Sequence, residues 1–237
     1  MSSAPRTATE AGWLFGLLQA SDTFYPTGAY AHSFGLEGLV EEGVVRDRES
    51  LRRFLLLSVL PTLRQVELPL AAHAWKAFAA GDWETIGGLC ELASALRAPR
   101  EARAASEAIG RQRAELAASL HDSPLAREFL NRVRTHGWPH CSALSAALEA
   151  RVHGAPLEAA LAAVAYAAVA GVISAAMKLL RLGQNGAQGL LTEALASCPD
   201  LVSSAAGVPV AEIGWFNPWL DVAAARHERA AARLFIS

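Results

Sequence analysis

The sequence has few cysteines, and neither sign of charge dominates. Its 237 residues include three cysteines, Cys90, Cys141 and Cys198, which are odd in number and far apart. Such a set does not build a disulfide framework and is typical of a reducing compartment. The formal net charge is −2, and no basic stripe is present that would indicate nucleic-acid binding.

Targeting and membrane signals are also scarce. The opening residues, MSSAPRTATEAG, lack the basic stretch and apolar core of a secretory signal. Residues 159–177 carry no charge, and a run of this length approaches the ~20 residues that span a bilayer. The run is mostly alanine with glycine and serine, so it predicts a buried central helix. The sequence therefore predicts a cytoplasmic protein without a membrane segment.

Alternating runs of β-branched residues are missing, so nothing in the sequence predicts strands. Alanine, leucine, glutamate and arginine, which favour helices, dominate instead. We expect about ten helices with short connections, no linker and no internal repeat. The prediction is a single all-α domain over residues 1–237, built around a long apolar central helix, with residues 1–8 disordered.

Proline and glycine predict where several helices begin and end. One helix is predicted over residues 30–42, and the longest apolar helix opens at Pro156 and ends at Gly183. Pro61 and Pro69 are expected to kink or divide the apolar stretch that ends near residue 80. Asp82 is expected to cap the helix that follows.

Side chains for metal binding form one candidate cluster. Of the seven histidines, only His136 and His140 are four residues apart, as paired ligands on a helix are. A Gly-Trp-Pro break separates them, and Cys141 follows. The three side chains could form a soft site for zinc, nickel or copper, although no fourth ligand is evident. A metal-dependent enzyme that uses them is therefore the alternative function.

Signatures of nucleophilic catalysis and phosphate binding are missing. No G-x-S-x-G motif is present. The glycines of RLGQNGAQG, residues 181–189, lack the lysine and the spacing of a phosphate-binding loop. A helix C-cap followed by a turn is the prediction for this stretch.

Two stretches have a composition that a purely structural role does not explain. Residues 21–38, SDTFYPTGAYAHSFGLEG, form an aromatic, small-residue loop ahead of a helix. Residues 214–237, GWFNPWLDVAAARHERAAARLFIS, lead through tryptophans and a basic helix to an apolar end. Exposed apolar residues at a chain end are costly unless they dock somewhere. Packing on the chain's own domain and binding of a partner both remain open.

Three ordered stretches resemble the urease accessory protein UreF family, over essentially the whole chain. The first has Leu-Leu-Gln, Ser-Asp, Pro-x-Gly-x-Tyr and Ser-Phe-Gly-Leu-Glu in residues 17–37. The second, ISAAMKLLRLGQNGAQGLL, is similar to the family's Leu-Gly-Gln and Gly-Gln stretch, with Ala187 inserted between Gly186 and Gln188. The third, NPWLDVAAARHERAAARLFIS, is similar to its closing Arg-His-Glu and Arg-Leu-Phe-x-Ser, with Ile236 where many members have arginine.

The resemblance implies an all-α, non-enzymatic protein that dimerises and binds the accessory protein UreD, also called UreH. It implies that this complex recruits the nickel-carrying GTPase UreG and docks on apo-urease. Nickel delivery would be coupled to GTP hydrolysis, which the family member modulates. No cofactor would bind tightly, and nickel would pass transiently.

The resemblance also places the C-terminal tail close to the opening loop. Arg233, or alternatively Arg229, is expected to hydrogen-bond at the Tyr30 loop and to shape the surface that docks the GTPase. In the alternative, Tyr30 is a core tyrosine whose hydroxyl is satisfied locally. The residues expected to bind partners are Tyr30, Ser33, Phe34, Glu37, Arg226, His227, Glu228, Arg233, Leu234 and Phe235. The residues expected to shape loops are Pro26, Gly28, Gly35, Gly183 and Gln184, and residues 214–237 are expected to form the partner-binding arm.

Overall fold

The computed structural model describes residues 12–227 and 233–236, and these residues form helices without strands. The predicted all-α class is therefore confirmed, whereas the predicted disorder of residues 1–8 falls outside the described residues. The helices are α1 (Gly12–Ser21), α2 (Leu36–Glu41), α3 (Arg48–Ala80), α4 (Trp83–Ala95), α5 (Arg100–Leu120), α6 (Pro124–His136), α7 (Ser142–His153), α8 (Leu157–Leu179), α9 (Gln184–Leu195), α10 (Cys198–Ala205) and α11 (Pro218–His227).

Helix α3 is continuous, so of the two predicted outcomes, a kink or a division, Pro61 and Pro69 do not divide it. Two wide π turns, Leu55–Val59 and Leu63–Glu67, lie within it. Each of them ends two residues before a proline. Because the wider turn relieves the clash between the proline ring and the preceding turn, the helix passes both prolines unbroken.

The second proline also fixes a long-range contact. Pro69 has no N–H to give to the carbonyl of Gln65, four residues earlier. Instead, the N–H of Gly214 donates to that carbonyl at 3.0 Å. This hydrogen bond ties the beginning of the C-terminal segment to the middle of α3.

Helix α8 is the long apolar helix predicted at the centre, and it contacts α1, α2, α3, α7, α9 and α10. It ends at Leu179, earlier than predicted, because the chain becomes extended at Leu180. Gly183 then forms the N-cap of α9, with Gln184 as its first residue. The predicted C-cap and turn at Gly183 is therefore wrong, and this glycine begins a helix.

Two helices, α3 and α8, are long and apolar enough to cross a membrane by length and composition. About half of each apolar span is buried inside the fold. Leu161, Val169 and Ile173 of α8 lie in the main hydrophobic core. Both helices therefore pack as core helices do, in agreement with the prediction for residues 159–177.

Candidate functional site at the C-terminal tail

The opening loop differs from the helix predicted over residues 30–42. A single 3₁₀ turn, Ala29–Ala31, is followed by left-handed backbone at Phe34 and Gly35, with φ of 56° and 83°. A Cβ on Gly35 would lie 2.7 Å from Cδ1 of Leu220, so α11 approaches its backbone closely. At Gly28 only the positive φ of 79° favours glycine, because a Cβ there would meet nothing within 4 Å.

The C-terminal tail, residues 233–236, lies against this loop and the start of α2. The N–H of Ile236 donates to the carbonyl of Ala31 at 2.9 Å. The N–H groups of Leu234 and Phe235 donate to the two carboxylate oxygens of Glu37, at 2.7 and 3.0 Å. The structure thus brings together the two stretches that the sequence singled out.

The side chains of the tail divide between core and solvent. Phe235 is 4% exposed and belongs to the main core, whereas Leu234 and Ile236 are 62% and 64% exposed. The tail therefore uses one aromatic anchor and presents two apolar side chains outward.

Lys178 is a functional candidate that sequence reasoning missed. Its Nζ lies 3.2 Å from the ring centroid of Tyr30 and 4.9 Å from that of Phe235. An ammonium between two aromatic faces is held by cation–π attraction. The sequence does mark this residue, since Lys178 is the single charged residue in the last 21 residues of the apolar helix α8.

Arg233 has a different partner from the one predicted. Its guanidinium donates to Glu101 of α5 at 2.6 Å, since a carboxylate is a stronger acceptor than a phenol or a turn carbonyl. Tyr30 is 58% exposed, and its hydroxyl has no hydrogen-bond partner among the described residues. Neither the predicted contact nor the core-tyrosine alternative is therefore found, and Arg229 lies outside the described residues.

The remaining predicted residues are only partly gathered at the tail. Ser33 is buried, and its hydroxyl accepts the N–H of Glu37 at 3.3 Å. Arg226 donates to Glu42 at 2.8 Å on the surface. His227 is the last residue of α11, and Glu228 lies outside the described residues. Pro26, Gly183 and Gln184 are exposed, and no hydrogen bond among the described residues joins them to the tail.

A buried hydrogen-bond network, which sequence reasoning also missed, anchors the opening loop to the helices beneath it. The hydroxyl of Tyr25 and the guanidinium of Arg113 both donate to the carboxylate of Glu149 in α7. Arg113 also donates to the carbonyl of Ala20 at 3.2 Å. Burial, and then the negative charge of Glu149, raise the pKa of Tyr25 far above its usual value. The loop is thereby fixed at the end of α1.

The candidate metal cluster does not form. Among the described residues, which include His136, His140 and Cys141, no three His, Cys, Asp or Glu side chains are grouped to hold a metal ion. Gly137, with a φ of 70°, ends α6 and turns the chain between the two histidines. The metal-dependent enzyme that these residues suggested is therefore not supported by their geometry.

Each of the three side chains has another environment. The His136 ring stacks on Trp138, with 5.0 Å between ring centroids. The His140 ring packs edge-on against Phe129, with 6.0 Å between ring centroids. The pKa of His140 is lowered, mainly by burial and to a smaller extent by the nearby positive charge of Arg111. Cys141 is buried and precedes the first residue of α7.

An apolar cavity of about 320 Å³ lies beneath α11. Small and branched side chains of α3, α5, α7 and α8 supply most of its lining, with Leu220 of α11 on the outer side. Asp221 also lines it, and burial raises the pKa of that carboxyl. The C-terminal segment thus covers an internal space as well as placing the tail.

The chain matches the family model UreF over residues 45–195. It is similar to the urease accessory protein UreF of Azoarcus sp. (strain BH72), with 35% identity over 94% of this chain and 95% of that protein. It is also similar to the urease accessory protein UreF of Kocuria rhizophila, with 31% identity over 94% of this chain and 97% of that protein. A third similar protein is the UreF of Bacillus sp. (strain TB-90), with 28% identity over 94% of this chain and 99% of that protein. The fold is helical, as the resemblance implied, and the two matching ends of the chain lie side by side. This chain belongs to the UreF family of urease accessory proteins.

Proposed function

We propose that this chain is a non-catalytic scaffold for the insertion of nickel into urease. Its family gives it a role in urease maturation. In the proposal it acts as a dimer, binds UreD/UreH, and recruits the GTPase UreG to apo-urease. Nickel passes through the assembly transiently as cargo, and the scaffold modulates the hydrolysis of GTP.

The observation that carries the proposal is an exposed apolar surface around the seated tail. We call it the tail face and define it by the side chains of Tyr30, Phe34, Leu234 and Ile236, each of which is exposed. The hydrogen bond from Ile236 to Ala31 places the tail beside Tyr30, and exposed apolar groups brought together in this way usually mark a surface that a partner covers. The hydrogen bonds that seat the tail order this surface in advance, which lowers the entropic cost of binding.

UreG is the partner that we assign to the tail face. The assignment draws on the family resemblance of the chain end, and one feature of the surface supports it. The ammonium of Lys178 places positive charge beside the apolar groups, whereas the charge of Arg233 is balanced by Glu101. A partner with an apolar patch and acidic neighbours would complement this arrangement.

The proposal is tested by co-purifying the chain with the UreD and UreG homologues of its host, using size-exclusion chromatography with light scattering. We expect a ternary complex in the presence of GTP, and we expect deletion of residues 233–237 to weaken UreG binding about tenfold or more, because the deletion removes the anchor and two contact residues.

Single substitutions separate the tail face from the rest of the surface. Tyr30→Ala is expected to weaken UreG binding, whereas Tyr30→Phe keeps the ring and is expected to bind as the wild type does. Leu57→Ala, which truncates an exposed leucine on α3, serves as the matched control. Wild-type recruitment of UreG by the folded tail-deleted chain would show that the tail face is not the docking surface.

A further inference from the structure

We infer that Glu37 is the positioning residue of the C-terminal tail. Its carboxylate holds the backbone of Leu234 and Phe235, and it is 5% exposed. Since a buried group touches no partner, Glu37 would influence recruitment only through the place it gives to the tail. This departs from the expectation that Glu37 itself binds a partner.

The shape of the tail fits a carboxylate clamp. In an extended chain, successive N–H groups point to opposite sides, so one acceptor group cannot take both. Here the chain bends at Leu234 and Phe235. The bend turns both N–H groups toward the same carboxylate, and each finds its own oxygen at 2.7 and 3.0 Å.

Charge and burial make the tail and the carboxylate depend on each other. A buried carboxylate is costly unless hydrogen bonds replace its lost water. Bonds from N–H groups to an ionised acceptor are about twice as strong as neutral ones. Glu37 also lies in the first turn of α2, where the helix dipole favours negative charge. Removing the tail would therefore expose this group, and neutralising it would loosen the tail.

The clamp determines which tail residues face solvent. It contacts the backbone of the tail, so it fixes direction rather than reading side chains. With the backbone held, Phe235 points into the core beside Lys178, and Leu234 and Ile236 point out. The tail face exists only in this arrangement, and its use in recruiting UreG rests on the proposed function.

The clamp is tested first in the full chain without any partner. Glu37→Gln keeps the size of the side chain but turns one acceptor oxygen into an amide donor that faces an N–H. We expect the amide protons of Leu234 and Phe235 to exchange about tenfold faster or more, while protection in the core helices is unchanged. Glu41→Gln, an exposed substitution on the same helix, is the control and should exchange as the wild type does.

Unchanged exchange at Leu234 and Phe235 in folded Glu37→Gln would overturn the inference. If Glu37→Gln does not fold, Leu234→Pro tests the same contact from the other side, because proline removes one of the two donated N–H groups. Faster exchange at Phe235 in that variant is expected. Wild-type exchange there would overturn the clamp as well.

A second measurement asks whether Glu37 acts through the tail. We expect Glu37→Gln to reduce UreG co-purification about as much as deletion of residues 233–237, and to add nothing in the deleted chain. A further loss in the deleted chain would overturn positioning through the tail. If exchange at the tail increases while UreG binding stays at the wild-type level, the clamp stands and the proposed role of the tail face fails.

Discussion

At the scale of single residues, Glu149 joins two distant parts of the chain. Its side chain is 1% exposed and accepts hydrogen bonds from Tyr25 and Arg113. The ion pair with Arg113 measures 2.5 Å, and the guanidinium is itself largely buried. Breaking a buried pair by removing one partner is far more costly than replacing the whole pair, because one charge is left without compensation.

We predict that Glu149→Ala lowers the free energy of unfolding by about 3–5 kcal/mol, because Arg113 would remain buried without its counter-charge. Tyr25→Phe removes only the hydroxyl hydrogen bond and should cost about 1–3 kcal/mol. Urea denaturation followed by circular dichroism measures both.

Glu91→Gln, an exposed change on α4 outside its first turn, is the control for these variants and should unfold at the urea concentration of the wild type. Equal midpoints for Glu149→Ala and the wild type would show that the buried pair contributes nothing to stability.

At the scale of helices, the contact between α5 and the chain entering α7 has no room for a side chain. A Cβ on Gly110 would lie 2.6 Å from the carbonyl carbon of Cys141. Beside this contact, the hydroxyl of Ser106 accepts the N–H of Ser142 at 3.2 Å. The close approach of the two backbones gives a physical reason for glycine at position 110 and for serine at position 106.

We predict that Gly110→Ala destabilises the protein by about 1–3 kcal/mol, because the methyl group must push backbone away rather than a flexible side chain. Gly88→Ala is the matched control, since Gly88 lies in α4 with nothing within 4 Å of its Cβ position. That change should stabilise the protein by about 0.5–1 kcal/mol, through the higher helix propensity of alanine.

Thermal unfolding of the two glycine variants separates the explanations. If both variants unfold at a higher temperature than the wild type, helix propensity decides at both positions, and the close contact at Gly110 carries no cost.

At the scale of the whole molecule, α1 lacks charged residues and has an apolar surface on both sides. Leu17 packs in a small second cluster with alanines of α7 and α8, apart from the main core. Leu14, Phe15 and Leu18 are exposed on the other side. Because a helix that is apolar all round is normally buried, we expect another molecule to cover this face.

We predict that the isolated chain self-associates, and that the double variant Phe15→Ser, Leu18→Ser lowers its average mass in solution. Light scattering over a range of concentrations measures the mass. Leu57→Ser, at an exposed leucine of α3, is the control and should leave the mass unchanged. A wild-type chain that stays monomeric at every concentration would contradict the prediction.

Much of the fold was accessible from local sequence patterns. Alanine- and leucine-rich periodicity predicted the helical class and the long central helix, because helix propensity acts within a few turns of chain. Asp82 was predicted as an N-cap, and its carboxylate accepts the N–H of Thr85 at 3.0 Å. Pro61 and Pro69 were expected to kink or divide α3, and the helix is not divided, because packing and the N–H of Gly214 compensate for what proline removes.

The tail site shows where local information ends. The sequence singled out the opening loop and the chain end, and the family resemblance placed them near each other. The prediction assigned the contact between tail and loop to Arg233 and Tyr30. In the folded chain, Glu37 and the backbone of Leu234 make this contact, and they are 197 positions apart. Because every residue except proline has a backbone N–H, the residue types in a sequence do not predict which N–H makes such a hydrogen bond. Helix content follows from local preferences, but which buried carboxylate meets which free N–H is decided only when the helices pack.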